Sequence, residues 1–402
     1  MSPQPKRLGD VAEFIRGITF KPEELVNSDE PDAVVCMRTK NIQEQLEVDD
    51  VIAVPDTFVR RDELFLRKGD ILISSANSWN LVGKVAQVPD LPYRATAGGF
   101  IAIVRAKPGK IDSEYLYRWL DSDPVQASVR ACGRQTTNIS NLSVPRFLDL
   151  PIVVPTPKDQ DRIASILGKA ESLRRKRREA IRLADEFLRS TYLDLAKKHS
   201  KRTSVESILA SIPNAARTGP FGSQLLVSEF TETGIPVLGI DNVVSNSFTW
   251  GARRFVSPEK YAELKRYTVH PGDVMVTIMG TTGRVAVAPS DLPLCISTKH
   301  LCTLSLDQQK MRPSYLWACL RWDPEVRAQT QREAKGAIME GWNMGIVKSL
   351  MVSQPPMEVQ LKFETLLAQI EKISKGTGKG ANETDAMIAS LSSKYLCSPA
   401  TV

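Results

Sequence analysis

The sequence predicts an α+β chain of two tandem globular mixed α/β domains, each followed by a long helix, with the helices pairing as an antiparallel coiled coil. Three observations carry this. The 402-residue chain repeats itself at an offset of about 200 residues. Runs of β-branched and aliphatic residues bounded by Gly, Pro and Asp fill the first part of each repeat, as strands require. After a proline cluster in each repeat, apolar residues change to a spacing near 3.5, the seam of a helix packed along another helix.

The repeat is read from aligned stretches. "YLYRWLDSDP" (115–124) matches "YLWACLRWDP" (315–324), with Tyr, Leu, Leu and Asp-Pro in register. "LPIVVP" (150–155) falls on "LMVSQP" (350–355), and Gln160 on Gln360. Upstream, "RKGDILISS" matches "HPGDVMVTI", and "VGKVAQVPD" matches "TGRVAVAPS". Self-similarity at a long period signals duplicated architecture.

Within each repeat the elements follow in the same order. "DAVVCMRTKNI", "DILISSA" and "FIAIVRA" read as strands of the first copy; "IPVLGIDNV", "DVMVTIM" and "HLCTLSL" read as strands of the second. Lys68-Gly69-Asp70 and Pro271-Gly272-Asp273 read as turns before buried strands. The competing reading of Asp70 and Asp273 as catalytic carboxylates has no positioned partner to support it. A short helix around Tyr115 and Leu116 follows, then prolines close the domain. The predicted division is a domain over 1–157, a helix over 158–200, a domain over 201–356 and a distal helical arm over 357–402.

The first helix places Ile163, Ile166, Leu167, Leu173, Ile181, Phe187 and Leu188 along its seam. Some 40 residues at 1.5 Å each make a rod of about 60 Å. The second places Phe363, Leu366, Leu367 and Ile370 on the same pattern. "SKGTGKGAN" (374–382) then predicts an interruption of that arm, because three glycines oppose helix.

Composition narrows the function. Hydrophobic residues at 42% and charged residues at 25% are those of a globular chain, with no apolar run long enough to span a membrane and no signal-peptide pattern, so the expected compartment is cytoplasmic. Six scattered cysteines give no disulfide framework, and three distant histidines give no metal site. The net charge of +7 favours an anionic partner, nucleic acid first. "RRKRR" (174–178) fits either a solvated helix face or contact with a DNA backbone or an acidic partner. "GTGKG" (376–380) lacks the phosphate-loop pattern and reads as a linker. No catalytic residue is assigned.

Polar loops at matching places of the repeats supply candidate DNA contacts, because Arg, Asn, Gln, Ser and Thr pair with base edges and phosphates. In the first repeat these are Arg16, Arg38, Lys40 and Asn41, then Ser75, Asn77, Trp79 and Lys84, then Arg134, Gln135, Thr136 and Asn138. In the second they are Arg217, Ser223, Gln224 and Asn242, then Thr281, Thr282 and Arg284, then Lys335, Trp342 and Asn343.

With this layout, and with "GPFGSQL" (219–225) near the start of the second repeat, "KGDILIS" (68–74) and "PGDVMVT" (271–277), the chain resembles the DNA-specificity subunits of type I restriction–modification systems. The first repeat holds the variant "IRGITFKPEEL" (15–25) in place of the GPFGS loop, in which Phe221 is expected to be a buried anchor. The resemblance implies two target-recognition domains reading the halves of a split, asymmetric sequence in double-stranded DNA. It implies helices that fix the spacer and dock two methylation subunits, and a restriction/translocase subunit that joins them. S-adenosylmethionine is then expected in the methylation partner, with no cofactor in this chain. Two other classes compete. A self-contained methyltransferase would bind S-adenosylmethionine alone, and a coiled-coil scaffold would bind no DNA sequence selectively.

Overall fold

The computed structural model describes residues 4–135, 139–334 and 341–396. Chain contacts gather into two compact units, residues 1–178 with 378–402 and residues 179–377.

In the first unit an antiparallel sheet runs in the order Ala12–Arg16, Ile101–Ala106, Ile71–Ser74, Val85–Gln87. Its Ile71–Ser74 strand is buried on both faces. Ile71 and Ile73 pack with Tyr115, Leu116 and Leu120 of the helix Ser113–Asp121, while Leu72 faces Val35 and Met37 of a second small sheet. The alternation follows from the two-residue period of a strand. Burying each such side chain stabilises by about 1.5–3 kcal/mol. Asp112 caps the helix by accepting the Tyr115 N–H (2.8 Å).

The second unit repeats this plan. Its sheet runs Ala216–Thr218, Leu301–Leu304, Val274–Thr277, Val285–Val287. Val274 and Val276 face Tyr315 and Leu316, and Met275 faces Leu238 and Val243. Both turns predicted before the central strand are present. Gly69 and Gly272 hold φ of +88° and +82°, where a side chain would be strained. The Asp70 carboxylate accepts the Arg67 N–H (2.7 Å) and that of Asp273 accepts the His270 N–H (2.8 Å). Each carboxylate also holds an arginine, the half-buried Arg105 for Asp70 and the buried Arg217 for Asp273.

Each unit is closed by a short antiparallel pair that brings its first strand to its exit: Lys6–Arg7 with Pro151–Ile152, and Arg202–Ser204 with Met351–Ser353. A buried glutamine then fixes each long helix to its domain. Gln160 accepts the Asp112 N–H (2.7 Å) and donates to the Pro155 carbonyl (2.8 Å); Gln360 accepts the Arg312 N–H (2.8 Å) and donates to the Pro355 carbonyl (2.9 Å).

The long helices span Pro157–Lys198 and Met357–Leu396. The expected interruption at 374–382 is corrected: the helix runs through it. Each interior glycine costs about 1 kcal/mol against alanine, and buried residues on both sides of the run outweigh that cost. Phe363 and Leu367 are buried in the second unit, and Leu396 in the first. The boundary between the units, after Thr377, falls inside the glycine run. The seam is also corrected. Ile163, Leu167, Leu188, Phe363 and Leu367 are buried, and Ile166, Leu366 and Ile370 half-buried, but Leu173, Ile181 and Phe187 are exposed. A seam near 3.5 residues identifies an apolar face without saying which part of it has a partner.

Candidate nucleic-acid interface

In the first unit the central strand Ile71–Ser74 leads into the loop 74–84. Ala76–Asn77 pairs with Ser140–Leu142, which pairs with Gly133–Gln135, so two loops distant in sequence become one three-stranded sheet. The Leu142 N–H also donates to the Ser75 carbonyl (2.8 Å). Trp79, 41% exposed, lies against Gly133, where a Cβ would stand 3.6 Å from its ring. Asn77 donates to Ser74 Oγ (3.2 Å), and Lys84 Nζ donates to Gln43 Oε1 (2.9 Å), which ties in the loop from Arg38 to Asp50. Arg38 and Lys40 both hold the Asp50 carboxylate, which lowers its pKa through the Lys40 hydrogen bond first. Arg16 is exposed at the end of its strand, opposite Ala102.

The second unit makes the same junction by other means. Thr277 Oγ1 accepts the Arg284 N–H (2.9 Å) and donates to the Thr281 carbonyl, closing the loop 277–284. The Trp342 N–H donates to the Ile278 carbonyl (2.9 Å), and its ring lies over Gly283. Thr281 and Arg284 are exposed and Thr282 is half-buried; among the described residues none forms an ion pair with Arg284. Asn246, at φ +59°, accepts the Val285 N–H (3.2 Å) and the Trp317 indole N–H (2.8 Å), drawing a third loop alongside. That loop carries exposed Arg253 and Trp250, the latter 53% exposed with its ring edge-on to Phe248.

Several sequence-chosen residues serve the fold instead. Arg217 is only 6% exposed and spends its guanidinium on Asp273, Ser305 and the Thr268 carbonyl. Asn41 and Asn242 are buried latches: Asn41 binds the Arg38 N–H and the Glu47 and Asp50 carbonyls, and Asn242 the Gly239 N–H and the Thr249 carbonyl. Asn343 caps the helix Met344–Ser349 by accepting the Ile346 N–H (2.9 Å). Gln224, though exposed, accepts the Phe221 N–H and the Tyr267 hydroxyl. Ser223 is exposed. Phe221 is not the expected buried anchor, being 46% exposed. Gly219 explains the loop instead, since a Cβ there would overlap the Ser297 carbonyl. Arg134 and Gln135 lie in the strand Gly133–Gln135, while Thr136, Asn138 and Lys335 lie outside the described residues.

Sequence reasoning missed Trp250, Arg253 and the pair Phe100 and His300. Phe100 is 66% exposed beside the loop 74–84. His300 holds the matching place and stays below its usual pKa, through burial first and then the charges of Lys299 and Arg254. Burial pushes the thiols of Cys36, Cys295, Cys302 and Cys319 up to about 12, so they remain protonated and are poor nucleophiles.

Residues 3–183 match the family model described as type I restriction modification DNA specificity domain. The chain is 24% identical over 287 residues to the type I restriction enzyme EcoKI specificity subunit of Escherichia coli (strain K12), covering 66% of this chain and 59% of that one. It is 21% identical over 419 residues to the StySPI specificity subunit of Salmonella potsdam, covering 96% and 86%. The crystal structure of the type I restriction-modification system S subunit from M. genitalium superposes at a TM-score of 0.63 and 13% identity, over 99% of this chain and 100% of that one, and shows the same fold.

Proposed function

We propose that this chain, whose residues 3–183 match the type I restriction modification DNA specificity domain, is a non-catalytic specificity subunit reading a split, asymmetric target in double-stranded DNA. Each unit takes one half. The observation that carries this is the shared junction: in both units the loop after the central strand is hydrogen-bonded to a second loop, through Ala76–Asn77 with Ser140–Asn141 and through Ile278 with Trp342. A fixed backbone thus presents different polar and aromatic side chains, as direct readout of two different half-sites needs.

The long helices pair as an antiparallel coiled coil and set the spacer between half-sites. In support, the start of the first helix and the end of the second share a core in the first unit, through Ile163, Leu167 and Leu396. In the second unit the end of the first helix and the start of the second do so, through Leu188, Tyr192, Phe363 and Leu367. The exposed Leu173, Ile181, Leu183 and Phe187 offer apolar surface for two methylation subunits, with S-adenosylmethionine bound by those partners and the restriction/translocase subunit completing a cytoplasmic complex.

Arg284 gives a direct test on the chain assembled with its methylation subunit. R284A should lower affinity for the target duplex about tenfold. A base contact would relax preference at one position of the second half, and a phosphate contact would reduce the salt slope by about 0.9. Unchanged affinity at both low and high salt contradicts the assignment, and binding without sequence preference favours the scaffold class.

A further inference from the structure

Phe100 occupies a position that the folding of the first unit does not explain. It is a large apolar side chain, 66% exposed, on an otherwise tightly held backbone. Its carbonyl accepts two N–H groups of the neighbouring loop, from Ser75 (3.0 Å) and Ala76 (3.2 Å), and the Ile101 N–H closes the turn onto Gly98 (3.0 Å). The two preceding glycines are needed where they stand. A Cβ on Gly98 would come within 3.1 Å of the Met37 carbonyl, and one on Gly99 within 2.9 Å of Thr19 Cγ2. The loop is therefore packed without side chains up to residue 99 and presents its first one at residue 100.

The same backbone position recurs in the second unit with different chemistry. The His300 carbonyl accepts the Ile278 N–H (2.9 Å) just as that of Phe100 accepts the Ser75 N–H (3.0 Å), and by strand register Thr298, Lys299 and His300 stand where the first unit has Gly98, Gly99 and Phe100. A constant scaffold carrying an apolar ring in one copy and an imidazole in the other is what a readout position requires.

A phenyl ring has no donor or acceptor, so among major-groove edges it can discriminate only by apolar contact, and the thymine C5-methyl is the group that offers it. Resting on the specificity reading above, we infer that Phe100 contacts a thymine methyl in the half-site read by the first unit, which makes residue 100, and by symmetry residue 300, a specificity-determining position.

The test uses the full chain assembled with its methylation subunits, and duplexes carrying its split motif with each first-half thymine replaced in turn by deoxyuridine. One replacement should weaken binding of the wild-type complex about fourfold, the worth of one buried methyl, and leave F100A indifferent. F100L should recover part of the discrimination. Replacements in the second half should affect wild type and F100A equally, which also reports that F100A is folded. The inference is overturned if no first-half thymine methyl distinguishes wild type from F100A. It is equally overturned if F100A weakens all first-half duplexes alike, as loss of a wedge between base steps would. If the wild-type complex modifies no split motif, the specificity reading itself fails and this inference falls with it.

Discussion

D273N should destabilise the second unit by about 3–5 kcal/mol, because it strands a buried guanidinium. Asp273 is buried and accepts from Arg217, from Ser305 Oγ (2.6 Å) and from the His270 N–H. Arg217 donates in addition to the Thr268 carbonyl (2.7 Å) and the Asn214 carbonyl (3.0 Å). R217A should cost a similar amount by leaving the carboxylate short of its cation, whereas R217M with D273L should lose much less than either single change. In a unit of this size, 3–5 kcal/mol corresponds to a fall in melting temperature of about 6–20 °C, readable by calorimetry. A change in base preference from R217A at unchanged stability would contradict the structural role.

The first unit reaches the same end from another strand. There Arg105 binds Asp70 through two hydrogen bonds of 2.7 and 2.6 Å. By strand register Arg105 corresponds to Ser305, and Arg217 to Ile15. The arginine has moved to the neighbouring strand while its carboxylate stayed in the turn. A buried ion pair kept by exchange of its cationic position belongs to the scaffold, since the turn before the central strand needs it in both copies.

Y192A should have an effect of comparable size, about 3–5 kcal/mol by the cost of truncating a buried aromatic. Tyr192 is fully buried among Tyr315, Trp322 and Phe363, with ring centroids 5.6, 6.4 and 6.3 Å away. Its hydroxyl donates to Asp323 (2.9 Å), which Arg202 also binds. Y192F should therefore cost only about 1 kcal/mol. Limited proteolysis gives the readout: Y192A should expose the chain near residues 179–200 to cleavage, and Y192F should not. Equal resistance of wild type and Y192A would mean that this helix is held elsewhere.

These cases show why the architecture was more legible in the sequence than the interface. Alternating burial at Ile71, Leu72 and Ile73, the turns at Gly69 and Gly272 and the prolines after each domain are local signals that survive folding. Recurrence between repeats misled at Asn41 and Asn242, because duplicated positions first preserve what both copies need, and these asparagines latch loops. Arg217 looked like a surface cation since one sequence does not say which face of a strand an arginine takes. Phe100 was hidden for the opposite reason, an aromatic beside a strand being more often core. Leu173, Ile181 and Phe187 fit the seam, yet no spacing reveals that they stay exposed. The glycine run at 374–382 was read by local propensity, which buried residues on both sides of it overrule.

The most direct test is to map methyladenine across the genome in cells carrying this chain with its methylation subunit, against cells lacking only the chain. The account predicts one new motif in two parts with a fixed gap, and replacement of residues 1–157 by another recognition domain should change one part and leave the other and the gap intact. An assembled complex that yields no such motif, or an exchange that alters both parts, would contradict it.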